Sequence, residues 1–364
     1  MNFTQLANSR ILDQPIYQPG KPIELVAREL GLNPALICKL ASNENPLGPS
    51  PEALIAAQNA LKEIHRYPDG SCLFVKEALA DFHKINKDQF IIGNGSNEII
   101  ELLAHVFISE NDEVLFGEHS FVVYRLVTLL MGGKPITASM PDLRHDLNLM
   151  REKISERTKL IFLPSPNNPT GTSNTQEEIL DFIRSLPEHV IFCFDEAYAE
   201  YLEDPPNLKP LIEEGRKIIG LRTFSKIHGL AGLRIGYGYG CEEVINLLQL
   251  ARQPFNVNSV AASAAIASLN DHSWLSSCRQ ANKEGLIQLQ SGFDQMGLKW
   301  IPSEANFILV QTGDGKKVFH QLLNRGIIAR PMPNELNQYL RLSVGTESEN
   351  EKALQALGDL VTCP

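Results

Sequence analysis

"HVIFCFDEAY", residues 189–198, sets an apolar run directly against a carboxylate. From Val190 to Phe194 no polar residue interrupts it. A strand with one wet face alternates apolar and polar residues, whereas a strand covered on both faces does not. The run therefore reads as an interior strand of a parallel sheet with helices on both sides. "TKLIFLPSP" (158–166) reads the same way, and between the two lies "TQEEILDFIRSL" (175–186), apolar at helical spacing. Strand, helix, strand is the right-handed crossover unit of such sheets.

The alternation continues in both directions. "QFIIG" (89–93) leads into "SNEIIELLAHVF" (96–107), where Ile99, Leu102, Leu103 and Val106 recur on one helical face. "DEVLFGE" (112–118), "SFVVYRLVTLLMGG" (120–133) and "KPITAS" (134–139) follow, and later "RKIIGLRTFSK" (216–226) and "LRIGYGYG" (233–240). The ends read differently. The first part is rich in Pro, Gly and Asn; the last third carries a long helical stretch, "SVAASAAIASLN" (259–270), then short strands "NFILVQT" (306–312) and "YLRLSV" (339–344). The expected fold is α/β: a mainly parallel sheet flanked by helices in a large domain over 46–255, with a smaller α+β domain built from 1–45 plus 256–364.

Bulk properties narrow the function. A chain of 364 residues suits two domains. A net charge of −10 argues against general nucleic-acid binding, which needs basic surface. No apolar stretch approaches the roughly 20 residues needed to cross a bilayer. The start "MNFTQLANSR" lacks a basic region followed by an apolar core, so no secretion signal is expected. Six cysteines lie far apart with no CxxC pairing, which points away from a metal site or a disulfide framework and towards reduced thiols in the cytoplasm.

In open parallel sheets ligands bind beyond the carboxyl ends of the strands, so the residues just after each strand matter most. Four such ends carry candidates. In "IIGNGSNEII" (91–100), Gly95, Ser96 and Asn97 present a glycine turn and a helix start, either an ordinary cap by Ser96 or Asn97 or a seat for an anion. The same stretch imitates a dinucleotide fingerprint through Gly93 and Gly95, with Asp112 as the ribose acid, but Glu98 occupies the third glycine's place. In "PSPNNPTGT" (164–172), Asn168 precedes a proline and is biased to extended backbone, as turn chemistry or as an amide aimed at a site. Asp195, at the end of a buried run, needs a partner: a helix start, an arginine or a protonated ligand nitrogen. Tyr198 follows it by three residues. The fourth end is "FSKIHGLAGLR" (224–234), with Lys226 and Arg234 flanking Gly229 and Gly232, which would let the chain turn between the two cations.

Together and in this order, "NPTG" (168–171), "FDEAY" (194–198), "SK" (225–226) and Arg234 resemble the fold-type I aminotransferases that use pyridoxal 5′-phosphate. The resemblance implies that Lys226 supplies the amine for the cofactor's aldehyde and later acts as the base over the substrate Cα. It implies that Asp195 holds the protonated ring nitrogen, that Asn168 and Tyr198 bond the ring's phenolic oxygen, and that Gly95, Ser96, Asn97, Thr223, Ser225 and Arg234 hold the phosphate.

Further phrases are more specific. "IYQPGKPIELVARELGL" (16–32), "KLASNENPLGPSPEA" (39–53), "HRYPDGSC" (65–72), "HSFVVYRLVT" (119–128) and "QPFNVNSVA" (253–261) closely resemble the histidinol-phosphate aminotransferase family, from about residue 16 to 349. That family exchanges the amino group between L-histidinol phosphate and 2-oxoglutarate, a step of histidine biosynthesis. The resemblance implies a homodimer in which Tyr67 reaches the neighbouring subunit's cofactor phosphate. It makes Arg341 in "YLRLSVGT" and Arg330 in "GIIARPMP" the substrate-anion arginines, with salt bridges within the smaller domain as the plainer alternative. Asn43 is a further substrate candidate or a turn residue. Phe121, a ring-stacking or a core residue, stands where many members carry Tyr. Aromatic amino-acid aminotransferases share nearly every motif here. A related phosphothreonine decarboxylase uses the same site without an amino acceptor. A cofactor-binding transcription regulator would need an added DNA-binding domain.

Overall fold

The structure, a computed structural model, describes residues 2–12, 14–16 and 20–361. Tyr17, Gln18 and Pro19 of the N-terminal phrase, and Cys363, lie outside the described residues. A seven-stranded sheet forms the centre. Its strands are β1 (Phe90–Gly93), β2 (Glu113–Gly117), β3 (Lys134–Ala138), β4 (Thr158–Pro164), β5 (Ile191–Asp195), β6 (Ile218–Thr223) and β7 (Gly236–Gly240). They lie in the order β1-β7-β6-β5-β4-β2-β3. Neighbours are parallel except that β7 runs against both β1 and β6. The expected mainly parallel sheet is present. The reversal at β7 follows from its link to β6, which carries no crossover helix.

The continuous apolar runs are buried on both faces, as their patterning requires. Ile161, Leu163, Phe192 and Phe194 enter one core, and Leu160, Phe162, Ile191 and Cys193 enter the other. Helix Gln176–Ser185 begins with a reciprocal cap between Thr175 and Glu178 and buries Ile179, Phe182 and Ile183 on the sheet. Helix Ser96–Phe107 buries Ile99, Ile100, Leu102 and Leu103 on the opposite face. It lies close to β7, whose glycines make room. A Cβ on Gly236 would stand 2.5 Å from the Ser96 nitrogen, and one on Gly238 would meet Ile99.

A second, four-stranded antiparallel sheet follows: β8 (Trp300–Ile301), β9 (Phe307–Gln311), β10 (Arg330–Pro331) and β11 (Tyr339–Ser343), in the order β10-β11-β9-β8. Its core joins Ile308, Val310, Leu340 and Leu342 to Leu289, Phe293 and Leu357 of the last helices. The N-terminal region reaches both bodies. Cys38–Lys39 pairs in parallel with Ile327–Ile328, and Val26 and Ala27 pack with Leu323. Nearer the start, Arg10 and Gln14 bond to the carbonyls of Met131 and Leu126 beside the large sheet. Helix Ser259–Asn270, which lies beyond the expected boundary at 255, packs Ala261, Ala264, Ala265 and Leu269 into the large core. Among the described residues no helix is long and apolar enough to cross a membrane.

Candidate active site

The carboxyl ends of β4, β5 and β6 stand level, with Pro164 opposite Asp195 and Asp195 opposite Leu221. Beyond them opens a cleft of about 430 Å³, closed from the other side by residues 41–44 and by Arg330, Met332, Pro333 and Arg341. Both bodies of the molecule therefore contribute walls.

Asp195 ends β5 and is buried. Its Oδ2 accepts from the Tyr124 hydroxyl at 2.6 Å and its Oδ1 from the Ala197 N–H at 3.1 Å. Burial pushes its carboxyl above the usual range, and these two bonds oppose that shift. Lys226 stands three residues after β6. Its Nζ donates to the Ser42 carbonyl at 3.3 Å and lies 5.7 Å from the centre of the Tyr198 ring. Burial, then the Arg341 charge, brings the amine down to about 8. Tyr198 is buried, and its hydroxyl accepts from Asn43 Nδ2 at 2.9 Å. Burial raises that phenol to about 12. Asn43 holds a left-handed φ of 54° and accepts from the Ser343 hydroxyl. It is thus both a turn residue and part of the wall.

A second group of donors gathers around Gly95. This residue is the N-cap of helix Ser96–Phe107, with φ 77°, and no side chain caps that end. The cap expected from Ser96 or Asn97 is absent because Ser96 already sits in the first helical turn. Arg234 approaches from the far side: a Cβ on Gly95 would stand 2.6 Å from its Nη2. Arg234 Nη1 also donates to the Ser225 hydroxyl at 3.3 Å, and the Ser225 N–H donates to Thr223 Oγ1 at 3.1 Å. Glu98 faces elsewhere, accepting from the Asn94 N–H and from Asn256 Nδ2. Asp112 closes a turn by accepting from the Ser109 N–H and does not line the cleft.

Asn168 and Arg341 meet in the cleft. Arg341 Nη1 donates to Asn168 Oδ1, Nη2 donates to the Ala41 carbonyl, and the guanidinium stands 5.3 Å from the Phe307 ring centre. Arg330 lies in register beside Arg341 on the adjacent strand and also lines the cleft. Phe121 lines the opposite wall, edge-on to Tyr124. Tyr67 lies apart: it is exposed and stacks on Phe255 at 4.9 Å.

Between the two cations the glycines differ. Gly229 has φ 68°, and a Cβ there would strike the Gly48 carbonyl carbon at 2.4 Å. Gly232 has open space and no such φ, so the expectation that both glycines serve the turn holds for Gly229 alone. Arg234 itself takes the left-handed conformation, φ 59°. His228 is buried, neutral and bonded to the Ser268 hydroxyl at 2.7 Å, a structural residue. Tyr124 was not among the sequence candidates. Its signal is weak: it lies one helical turn after Phe121 inside an apolar run.

The geometry fits a flat, phosphorylated, nitrogen-bearing ring with an aldehyde. The same cleft is lined by the donors beside Gly95, the buried Asp195 carboxylate, the Phe121 ring and the Lys226 amine of lowered basicity. Comparisons agree. Residues 36–357 match the family model for aminotransferases of class I and II. The chain is 43% identical to a histidinol-phosphate aminotransferase of Akkermansia muciniphila, over 99% of this chain and 100% of the other. It is 44% identical to one of Moorella thermoacetica, over 96% and 92%. Among solved structures, histidinol-phosphate aminotransferase from Sinorhizobium meliloti in complex with pyridoxal 5′-phosphate superposes with a TM-score of 0.90 at 26% identity, over 98% of this chain and 97% of that one.

Proposed function

The chain belongs to the class I and II aminotransferases, and from that premise we propose that it transfers the amino group of L-histidinol phosphate to 2-oxoglutarate, giving imidazole-acetol phosphate and glutamate. The observation that carries the reading is the pairing, across one cleft, of Lys226 and Asp195 with two arginines on adjacent strands, Arg330 and Arg341.

When bound, pyridoxal 5′-phosphate supplies an aldehyde that takes up the substrate amine and a ring that withdraws electrons from the substrate Cα. The donors at Gly95, Ser96, Asn97, Thr223, Ser225 and Arg234 would hold its phosphate, and Gly95, lacking a Cβ, lets the Arg234 guanidinium close on the helix start. Asp195 offers its carboxylate to the ring nitrogen's proton. Asn168 and Tyr198 would bond the ring's oxygen, and Phe121 would offer a π-face to the ring. Lys226 Nζ takes the substrate Cα proton. Its lowered basicity keeps a useful share of free amine near neutral pH. Arg341 and Arg330 match the two anions the site must accept in turn, a phosphate and a carboxylate, since a guanidinium fork binds either. Homodimerisation in the cytoplasm completes the reading, with the exposed Tyr67 offered to a neighbouring copy.

Comparison of kcat/KM for histidinol phosphate, phenylalanine and tyrosine, each with 2-oxoglutarate, tests the substrate. Histidinol phosphate is expected to win by at least about tenfold, the effect of one extra charged contact of about 1.4 kcal/mol. A clear preference for the aromatic amino acids would overturn the named substrate. Product formed without 2-oxoglutarate would overturn transamination.

A further inference from the structure

Tyr124 sits in the first turn of helix Val122–Leu130 and is fully buried. Its ring lies parallel to Phe162, with centres 4.4 Å apart and planes within 5°. Phe121 meets it edge-on at 5.8 Å and 85°. The ring is therefore clamped, and its hydroxyl has one direction available, into Asp195 Oδ2 at 2.6 Å. With the Ala197 N–H on Oδ1, each carboxylate oxygen has one partner and keeps one lone pair for another donor.

We propose that Tyr124 is a positioning residue that fixes the direction and charge of the Asp195 carboxylate before the cofactor arrives. The proposal rests on the cofactor reading above. One helical turn would then deliver two groups to the same ring: Phe121 to its face and, through Asp195, Tyr124 to its nitrogen.

The charges around Asp195 define what the hydroxyl must do. Cys193 lies on its own strand, Glu196 and Tyr198 just beyond it, Lys226 after the next strand, and Tyr124 on helix Val122–Leu130. Burial raises the Asp195 carboxyl, and the Tyr124 bond is the largest opposing influence. Tyr124 stays a donor, because burial and the Asp195 charge push its own phenol well above the usual value. Without the hydroxyl, Asp195 would take up a proton at higher pH. A neutral carboxyl cannot offset a protonated ring nitrogen.

The test uses Tyr124→Phe, which keeps the clamped ring and removes only the hydroxyl. Apo-protein is titrated with pyridoxamine 5′-phosphate, which cannot condense with Lys226, over a range of pH, and separately with inorganic phosphate. The variant is expected to bind pyridoxamine 5′-phosphate roughly ten- to hundredfold more weakly, matching one lost charged hydrogen bond. The pH at which affinity falls on the acid side is expected to move upward. Phosphate binding, which uses the Gly95 cradle, is expected to stay unchanged. An unaltered affinity and acid limb would overturn the proposal. So would equal losses for both ligands, since these would mean a general disturbance of the fold. Wild-type protein that fails to bind pyridoxamine 5′-phosphate would overturn the cofactor reading, and this proposal with it.

Discussion

Lys226 shows how burial turns a common residue into a reactive one. In water a lysine amine is almost wholly protonated at neutral pH; in this cleft burial and Arg341 bring it down to about 8. Only the free amine attacks an aldehyde. The rate at which apo-protein and pyridoxal phosphate develop visible absorbance is therefore expected to climb with pH through about 8 and then level off. Lys226→Ala should show no such band. The same shift bears on stability. Between about 8 in the folded chain and its ordinary 10.5 in the unfolded one, the unfolded state holds the extra proton, so stability rises with pH across that window. Lys226→Met is expected to stabilise apo-protein at pH 7 by up to about 3 kcal/mol. That advantage should shrink as pH climbs towards about 10.5, which thermal melts across pH would show. The lysine and its neighbour Arg234 were legible as a motif in the sequence. Tyr124 was not, because a tyrosine inside an apolar run reads as core until its hydroxyl is seen to meet a carboxylate.

At the scale of elements, the loop after β6 depends on one glycine. Gly229→Ala must place a side chain at φ 68° and drive a Cβ into the Gly48 backbone, where neither partner can yield cheaply. A loss of about 2 kcal/mol or more is expected, with weaker cofactor binding because Lys226 lies three residues away. Gly232→Ala meets open space and should be neutral or stabilising by up to about 1 kcal/mol, through a less flexible unfolded chain. Chemical denaturation of the pair checks both. Equal losses would sink this account of the loop. Strands and helices were readable here because burial on two faces leaves continuous apolar runs and burial on one leaves a helical stripe. Glycine spacing alone could not separate a required turn from a tolerated residue, because that distinction depends on what packs opposite.

For the whole molecule, the cleft has walls from two sheets, and Tyr67 does not line it. Tyr67 is 84% exposed and stacks on Phe255, itself about half exposed. With Tyr67 crossing to a second subunit, each site would need Lys226 from one copy and Tyr67 from the other. Tyr67→Ala and Lys226→Ala are expected to be impaired separately. After mixing and subunit exchange, activity should return towards roughly a quarter of wild type, because half the dimers are hybrid and each hybrid has one intact site. No recovery despite proven exchange would mean that Tyr67 serves no neighbouring site.

The sequence by itself determined the α/β architecture, the order of the strand-end motifs and the family, because these depend on local patterning and on residue types that chemistry restricts. It could not decide which side chains meet. The bond from Tyr124 to Asp195 spans 71 positions, that from Asn43 to Tyr198 spans 155, and that from Arg341 to Asn168 spans 173. Such contacts arise only when helices lie on the sheet and the second body closes over its strand ends. Only the tertiary structure then placed the Asp195 carboxylate, the Lys226 amine and the donors beside Gly95 around one cleft, and only burial shifted the basicity of the carboxylate and the amine.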